Sequence, residues 1–481
     1  MNKKPQNIDI PDDISYVRDH IVQNETGKLS YFTKYQRFGP SCEDCASLVS
    51  NSSPTLCMIS CFAFSYAQET IDLAEHIKKL RPELSIVVGG AGVSAYPLYF
   101  IRDTHIDFAI SGEAEIGLKP FLKAMFEKAL DFESVPNLFR NSDSQITRRK
   151  ETPEPADPLN PDSGIRTLRY TSGNEIMPVI AKTLEKKDLI SFSVSLTRGC
   201  ERRCRFCSNF LCHGHGFRKA SLESVAPLVN QLSIDQKKRL LVNFEDDNLL
   251  FASEYLLEVM HLFREKSGSV SFLAENGLDY NLLSPMLADR LIEAGMSKFN
   301  FTLGSIDETV LEGQDRKGSK THFESIVRHI ASRGLPVLSY FICGLKDDSQ
   351  ESVANVLAFL HNLPTLVGIS MFYAIPGLLD FSDTAMFDKF CPHRCNGTSA
   401  NPWYGKQGLQ TNELLTAFRL SRYVNLLKSE IKSEIEMQLI EKIQKEKKLF
   451  TLVKQNKAVE IVPAPGTDNE MVGMVLDKIR S

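Results

Sequence analysis

The sequence has one tryptophan in 481 residues and nowhere an uncharged apolar run of the about 18 residues that a membrane-spanning helix needs. No spanning segment is expected. The opening MNKKPQNIDIPDDIS has no apolar stretch behind its lysines, so no secretory leader is expected there either. Charge of one sign is not concentrated: 56 basic and 60 acidic residues give a formal net charge of −4. There is no basic arm or acidic tail of the kind that grips nucleic acid or a lipid surface. Internal repeats and low-complexity tracts are missing too, which excludes solenoids and fibrous arrays. What remains is a cytoplasmic globular protein, 42% hydrophobic and 24% charged, long enough for two or three domains.

Cysteine is not scarce. Eleven cysteines in a chain of this length, in a reducing compartment, are thiols rather than a disulfide framework, and therefore candidates for metal binding or catalysis.

The rhythm of the chain divides it. Residues 1–54 form an N-terminal extension, and 55–140 read as a small α/β domain. There LCMISCFAF is a buried strand, and ETIDLAEHIKKL places Leu73, Ile77 and Leu80 on one helical face that Pro82 ends. SIVVGG is a second strand, and a helical stretch closes near Ala129. Residues 141–188 read as a linker, rich in proline and polar side chains up to 164. Residues 189–380 alternate strand and helix six times, beginning with Ile190, Phe192, Val194 and Leu196 and resuming near Leu240, Val270, Phe299, Pro336 and Val367. Ser284 before Pro285, with Gly295 ten residues on, marks the start and stop of one intervening helix. Such alternation implies right-handed crossovers and a parallel, barrel-like sheet. Residues 381–481 read as mainly helical.

Cys200, Cys204 and Cys207 form CxxxCxxC in LTRGCERRCRFCSNF, where the first strand of that sheet runs into a loop. Three soft sulfur ligands on one loop suit three corners of a four-iron, four-sulfur cube and leave one iron open to an exchangeable donor. The same thiols with Cys212, His213 or His215 would also make a tetrahedral zinc set. Placement favours the cluster, because the active face of a parallel barrel lies at the carboxyl ends of its strands.

This spacing and placement resemble the radical S-adenosylmethionine (SAM) superfamily. The resemblance implies a [4Fe–4S] cluster whose open iron chelates SAM, and one-electron cleavage of a carbon–sulfur bond to a 5′-deoxyadenosyl radical. It also implies an electron donor of flavodoxin or ferredoxin type. By the same resemblance Phe206 packs near the adenine. Glu245 and Asp246 in FEDDN, where the family usually has a GGE-like stretch, and Glu275 and Asn276 meet the methionine amine and ribose. Ile342 and Gly344 in SYFICGLKDDSQES support the adenine. Arg316 reads as an exposed arginine, with carboxylate binding as the alternative.

The segment 55–128 resembles the cobalamin-binding domain that precedes the barrel in one branch of the superfamily, on SCFAFSYAQET, VVGGAGVSAYP and SGEAE. The implied cofactor contacts are Gly89, Gly90, Gly92, Gly112 and Glu113, with the glycines letting the backbone approach a bulky ligand. Gly90, Gly92 and Ala95 with Glu113 also fit a dinucleotide fingerprint, though after the second strand rather than the first. The DxHxxG motif that supplies a histidine to cobalt is missing.

The implied fold is α/β: an N-terminal Rossmann-like cobalamin-binding-type domain, a partial (β/α)6 TIM-like radical SAM barrel and a helical C-terminal region. The implied activity is cobalamin-dependent methyl transfer to an unactivated centre of a small-molecule or natural-product substrate. Radical rearrangement, cyclisation or oxidation, and a non-catalytic zinc module, are the alternatives. Cys391, His393 and Cys395 in CPHRCNGTS are too few for a second cluster. Cys42 and Cys45 read as loop thiols, and Cys57, Cys61 and Cys343 as core residues.

Overall fold

The structure, a computed structural model, describes residues 5–31, 35–127, 131–142, 145–147, 176–232, 234–235, 237–456 and 458–480. The expected helix end at Ala129 and the central part of the expected linker, 148–175, lie outside the described residues.

The front domain is built on a five-stranded sheet. Strands β1 (Leu56–Ser60), β2 (Ser85–Gly89) and β3 (Phe108–Ile110) run parallel in that order. They are extended by antiparallel β4 (Leu138–Ser142) and β5 (Gln145–Thr147). Strand β2, the middle one of the three parallel strands, buries Ile86, Val87 and Val88 in succession, as a parallel strand covered on both faces does. The helix Ala67–Leu80 stops two residues before Pro82, as expected. Its buried face is Ala67, Thr70, Ala74 and Ile77, while Leu80, its last residue, is 50% exposed. Small residues rather than leucines carry the contact, which lets the helix lie close to the sheet. Cys42 and Cys45 occupy the first turn of the helix Cys42–Ser52, not a loop, because Ser41 and Asp44 form a capping box there.

Strands also occupy both ends of the expected linker: β4 and β5 at its start and β6 (Val179–Glu185) at its end. Strand β6 pairs antiparallel with β7 (Leu189–Ser195), the first of six parallel strands. The others are β8 (Arg239–Phe244), β9 (Val270–Leu273), β10 (Phe299–Gly304), β11 (Val337–Cys343) and β12 (Leu366–Met371). They form two runs, β7–β8–β9 and β10–β11–β12, joined only by single-residue bridges at Phe272–Met296 and Leu278–Phe301. Among the described residues there is no closed barrel. The gap follows from the shortness of β9: the chain turns at Gly277, whose φ is +96° and whose added Cβ would stand 2.5 Å from Thr302 Cγ2. It then rejoins β10 through Leu278 N–H and Asn300 O at 2.7 Å.

Alternation sets the two faces of the strands. Phe192, Val194, Val242 and Phe244 are buried in one core with the helices, while Ser193, Asn243 and Glu245 are half-buried or exposed on the other face. The helix Pro285–Ala294 begins and ends where expected, with Ser284 Oγ accepting from Leu287 N–H and Gly295 at φ +112° closing it.

The C-terminal region, expected to be mainly helical, also carries strands. After helices Thr411–Lys428 and Glu434–Glu446, a hairpin of Phe450–Gln455 and Ala458–Pro463 pairs with Glu25–Thr26 from the N-terminal extension, and the helix Asn469–Arg480 follows. The buried Arg419–Glu25 ion pair fastens the two ends, with Arg419 also donating to Leu29 O and His20 O at 3.0 and 3.2 Å. These helices share one apolar core with the parallel strands.

Candidate active site

The cysteine loop leaves β7 through a narrow neck. Thr197–Arg198 pairs antiparallel with Arg218–Lys219, so residues 199–217 form a loop pinched at its base. Gly199, just before the first cysteine, has φ +79°, and an added Cβ would stand 2.2 Å from Gly216 O. Only glycine fits that crossing.

The end of β8 pins the neck. Asp246 Oδ1 accepts from Leu196 N–H and Thr197 Oγ1, each at 2.8 Å, and from Thr197 N–H. Burial pushes the Asp246 carboxyl up to about 6 against the pull of those bonds. Asp247 accepts from Gly199 N–H and Asn209 Nδ2, both at 2.8 Å. Three arginines clamp the loop from outside: Arg202 to Asp279, Arg205 to Asp380 and Arg198 to Glu115. The expectation that Asp246 contacts SAM meets a different use of its Oδ1, which positions the loop; its Oδ2 is buried without a hydrogen-bond partner.

Within the loop Cys204 is buried, and Cys200 and Cys207 are half-buried. Burial raises the Cys200 thiol and pushes that of Cys207 up to about 12, so a bound cation is what would stabilise thiolates there. Two donors are aimed at the sulfurs: Asn248 Nδ2 lies 3.9 Å from Cys200 Sγ and Arg316 Nη1 3.8 Å from Cys204 Sγ. Hydrogen bonds to cluster sulfurs are one means by which a protein sets a reduction potential. Arg316 is half-buried rather than exposed, and its guanidinium lies 6.0 Å over the Phe206 ring. Phe206 and Ile342 are both partly buried and pack against the same extended apolar core. Gly344, at φ +93°, donates its N–H to Asp348, which turns the chain at the end of β11.

Glu245 accepts from Ser193 Oγ at 2.6 Å and Asn243 Nδ2 at 3.2 Å, and Asn243 Oδ1 accepts from Glu275 N–H at 3.1 Å. Glu245, Glu275 and Asn276 are exposed at the carboxyl ends of β8 and β9.

The residues of the zinc alternative go elsewhere. His213 Nδ1 is 3.1 Å from Glu113 Oε1, and His215 stacks on Phe210 with ring centroids 5.0 Å apart. Among the described residues no three His, Cys, Asp or Glu side chains converge tightly enough to hold a single metal ion. Three soft thiols on a shaped loop, with donors directed at two of them, fit a cluster, which is wider than one ion.

In the front domain the close approach that explains the glycines is internal. A Cβ at Gly90 would stand 2.6 Å from Cys61 O, and one at Gly92 would stand 2.6 Å from Cys61 Sγ. Gly89 lies against Ile110 O, and Gly112 N–H donates to Ser94 Oγ at 2.8 Å. Glu113, 5% exposed, joins the front domain to the cysteine loop: Arg218 donates to both of its oxygens, and Arg198 lies 3.5 Å away. Burial opposes its charge, yet hydrogen bonds from His213 and Arg218 hold Glu113 at about 2. It is thus engaged by the loop, where the dinucleotide reading would give it to a ribose. Neither Arg218 nor Asp279 was singled out from the sequence, because partners so far apart along the chain leave no local pattern.

The Glu113 clasp gives a pH prediction. A carboxyl lowered on folding stabilises fully above its unfolded value near 4.3 and loses that contribution as pH falls toward 2, here on the order of 3 kcal/mol. Thermal unfolding of wild type and Glu113→Gln should therefore differ at pH 7, and the gap should close between about pH 4.5 and pH 2. A gap that does not change with pH would exclude the clasp.

Residues 194–360 match the family model described as the Radical SAM superfamily, whose members bind a [4Fe–4S] cluster and SAM. The chain is similar to an uncharacterized methyltransferase of Pyrococcus horikoshii, 23% identical over 324 residues, covering 66% of this chain and 67% of the relative. It is also similar to cytidylyl-2-hydroxyethylphosphonate methyltransferase of Streptomyces wedmorensis, 21% identical over 336 residues, covering 65% and 62%. Hopanoid C-3 methylase of Methylococcus capsulatus is 23% identical over 328 residues, covering 66% and 59%. The matches thus span about two thirds or less of these relatives' lengths. In fold the chain resembles the radical SAM methyltransferase TsrM from Kitasatospora setae, solved with tryptophan and a SAM analogue, at TM-score 0.55 and 17% identity, covering 72% of this chain and 67% of that one. It also resembles the cobalamin-dependent radical enzyme OxsB with aquacobalamin, at TM-score 0.51 and 14% identity, covering 75% and 51%. The fold is mixed α/β, like these two. No helix among the described residues is long and apolar enough to cross a membrane.

Proposed function

We propose that the chain is a cobalamin-dependent radical SAM methyltransferase acting on an unactivated carbon or phosphorus centre of a small molecule in the reducing cytoplasm. The observation that carries this reading is the shaped loop of Cys200, Cys204 and Cys207 held directly against the front domain by Glu113. The named methyltransferases among its relatives, and TsrM solved elsewhere with cobalamin and a [4Fe–4S] cluster, support it.

When bound, the cluster and SAM supply a one-electron cleavage that yields a hydrogen-abstracting radical, and cobalamin supplies the methyl group. The chain's own residues orient and shield. Cys200, Cys204 and Cys207 hold the cluster; Asn248 and Arg316 direct hydrogen bonds at its ligands. Phe206 and Ile342 offer an apolar surface for the adenine, and Glu245, Glu275 and Asn276 offer polar groups for the methionine amine and ribose. In this reading the Rossmann-like front domain meets the cysteine loop of a partial barrel through Glu113, just after β3. On the turn after β1, Phe62 and Tyr66 are 81% and 49% exposed, an apolar surface suited to a corrin face. An electron donor of flavodoxin or ferredoxin type completes the cycle.

A second reading, radical chemistry without methyl transfer, is favoured by the internal packing of Gly90 and Gly92 against Cys61, which leaves the glycines no cofactor to approach. One experiment separates the two. Anaerobic protein produced with hydroxocobalamin should retain a corrinoid spectrum after gel filtration and form S-adenosylhomocysteine; finding neither would sink methyl transfer and leave the second reading.

A further inference from the structure

A second cluster of reactive side chains lies between the front domain and the loops that follow β12, and the chemistry above does not use it. Cys391 opens a tight turn, Pro392–Arg394, that packs on the turn Phe64–Tyr66 of the front domain. Cys391 Sγ stands 3.0 Å from His393 Nδ1, and His393 Nε2 stands 2.8 Å from Glu69 Oε1 on the helix Ala67–Leu80. A thiol, an imidazole and a carboxylate are thus aligned, although Glu69 is 324 residues away from His393 along the chain.

The turn is firmly held. Cys391 N–H donates to the Asp13 carboxylate, Arg394 Nε donates to Asp13 O at 3.1 Å, and Cys395 N–H donates to Pro392 O at 2.8 Å. Hydrogen bonds to Cys391 and Glu69 carry the His393 imidazole up to about 10 although burial opposes its charge. A charged imidazole donates from both nitrogens, and here each nitrogen has an acceptor in reach. A purely structural latch would gain little from a cysteine, since a thiol is a weak hydrogen-bonding group, whereas a thiol is the most nucleophilic side chain once an adjacent base takes its proton. Cys391 is half-buried, and Tyr66 and Phe62, on the front-domain turn beside it, are exposed.

We propose that Cys391 is a catalytic nucleophile, which accepts an acyl group from a thioester or ester, with His393 holding its proton and acting as the acid and Glu69 holding the ring. In the step, the proton shared by Sγ and Nδ1 stays on the imidazole while Sγ attacks the acyl carbon, forming a carbon–sulfur bond. The bond to the leaving sulfur or oxygen then breaks, and the departing group recovers the proton from Nδ1. The products are S-acyl-Cys391 and a free thiol or alcohol, with no change of oxidation state. A carboxylate that orients the imidazole is what lets one ring serve in both directions. The step needs neither the cluster nor SAM.

The test uses full-length protein with its iron reconstituted, kept anaerobic and without reductant, and treated at pH 7 with S-acetyl-N-acetylcysteamine or with the corresponding oxygen ester. Peptide mass mapping should find acetyl on Cys391 at least about tenfold faster than on Cys42 or Cys45, two half-buried thiols of the same chain. That comparison is internal and needs no variant. His393→Ala should slow acetylation of Cys391 by about tenfold or more, and Glu69→Gln should slow it less. Labelling by the thioester alone, or by both reagents, supports the site and defines its leaving group. Acetylation of Cys391 no faster than of Cys42 and Cys45, or unchanged by His393→Ala, overturns it.

Discussion

Replacing any one of Cys200, Cys204 and Cys207 by alanine should abolish reductive cleavage of SAM, lowering 5′-deoxyadenosine formation by at least about a hundredfold. The fold should survive. The three thiols lie on a loop outside the main apolar core, which is built from the helices and the buried faces of the strands. Cys204 is the most buried of the three and receives Arg316, so Cys204→Ala removes one acceptor of a guanidinium that Thr302 also holds and leaves a small cavity beside Phe206. It should give the lowest melting temperature of the three. The check is anaerobic iron content, product chromatography and thermal unfolding on the same samples. A variant that binds iron normally and still cleaves SAM would remove that cysteine from the cluster.

Gly199→Ala should lose the cluster without touching a ligand. The substitution places an L side chain at φ +79° and a methyl group 2.2 Å from Gly216 O, at the neck of the loop. A left-handed conformation costs about 1–3 kcal/mol for a residue other than glycine, and the overlap adds to it. At about 1.4 kcal/mol per tenfold, cluster retention should fall by roughly a hundredfold. Gly216→Ala is the matched control. A Cβ there meets nothing within 4 Å, so its iron content should equal that of wild type. Equal loss in both variants would mean that the neck tolerates no change of any kind, and equal retention would mean that the crossing at Gly199 is loose.

How far the sequence could be read followed the range of the interactions involved. Strand starts near Leu240, Val270, Phe299, Pro336 and Val367 were visible because period-two alternation and helix caps such as Ser284–Pro285 are local signals, and the strands fall within a residue or two of them. The cysteine triplet was visible for the same reason. The hairpin at Phe450–Gln455 and Ala458–Pro463 was not. Its alternating runs follow charged helical sequence closely, and its partner Glu25–Thr26 lies at the other end of the chain. The duties of Asp246, which holds the neck, and of Glu113, which clasps the loop, were hidden because both contacts join residues about 50 to 105 positions apart. Sequence reasoning placed these carboxylates among the expected cofactor contacts. It could not tell a carboxylate that meets a ligand from one that holds the loop meeting it. The glycines of VVGGAGVSAYP show the same limit, since a need for close approach is legible but the approaching group is not, and here Gly90 and Gly92 meet Cys61.

The account rests on three thiols holding a redox-active cluster with one open iron, and the most direct measurement is spectroscopic. Protein purified anaerobically should be brown and contain about four irons with matching sulfide. On reduction it should give an electron paramagnetic resonance signal of a [4Fe–4S]+ cluster whose g-values shift when SAM is added. Colourless protein with one zinc and no iron, or a cluster signal indifferent to SAM, would contradict it.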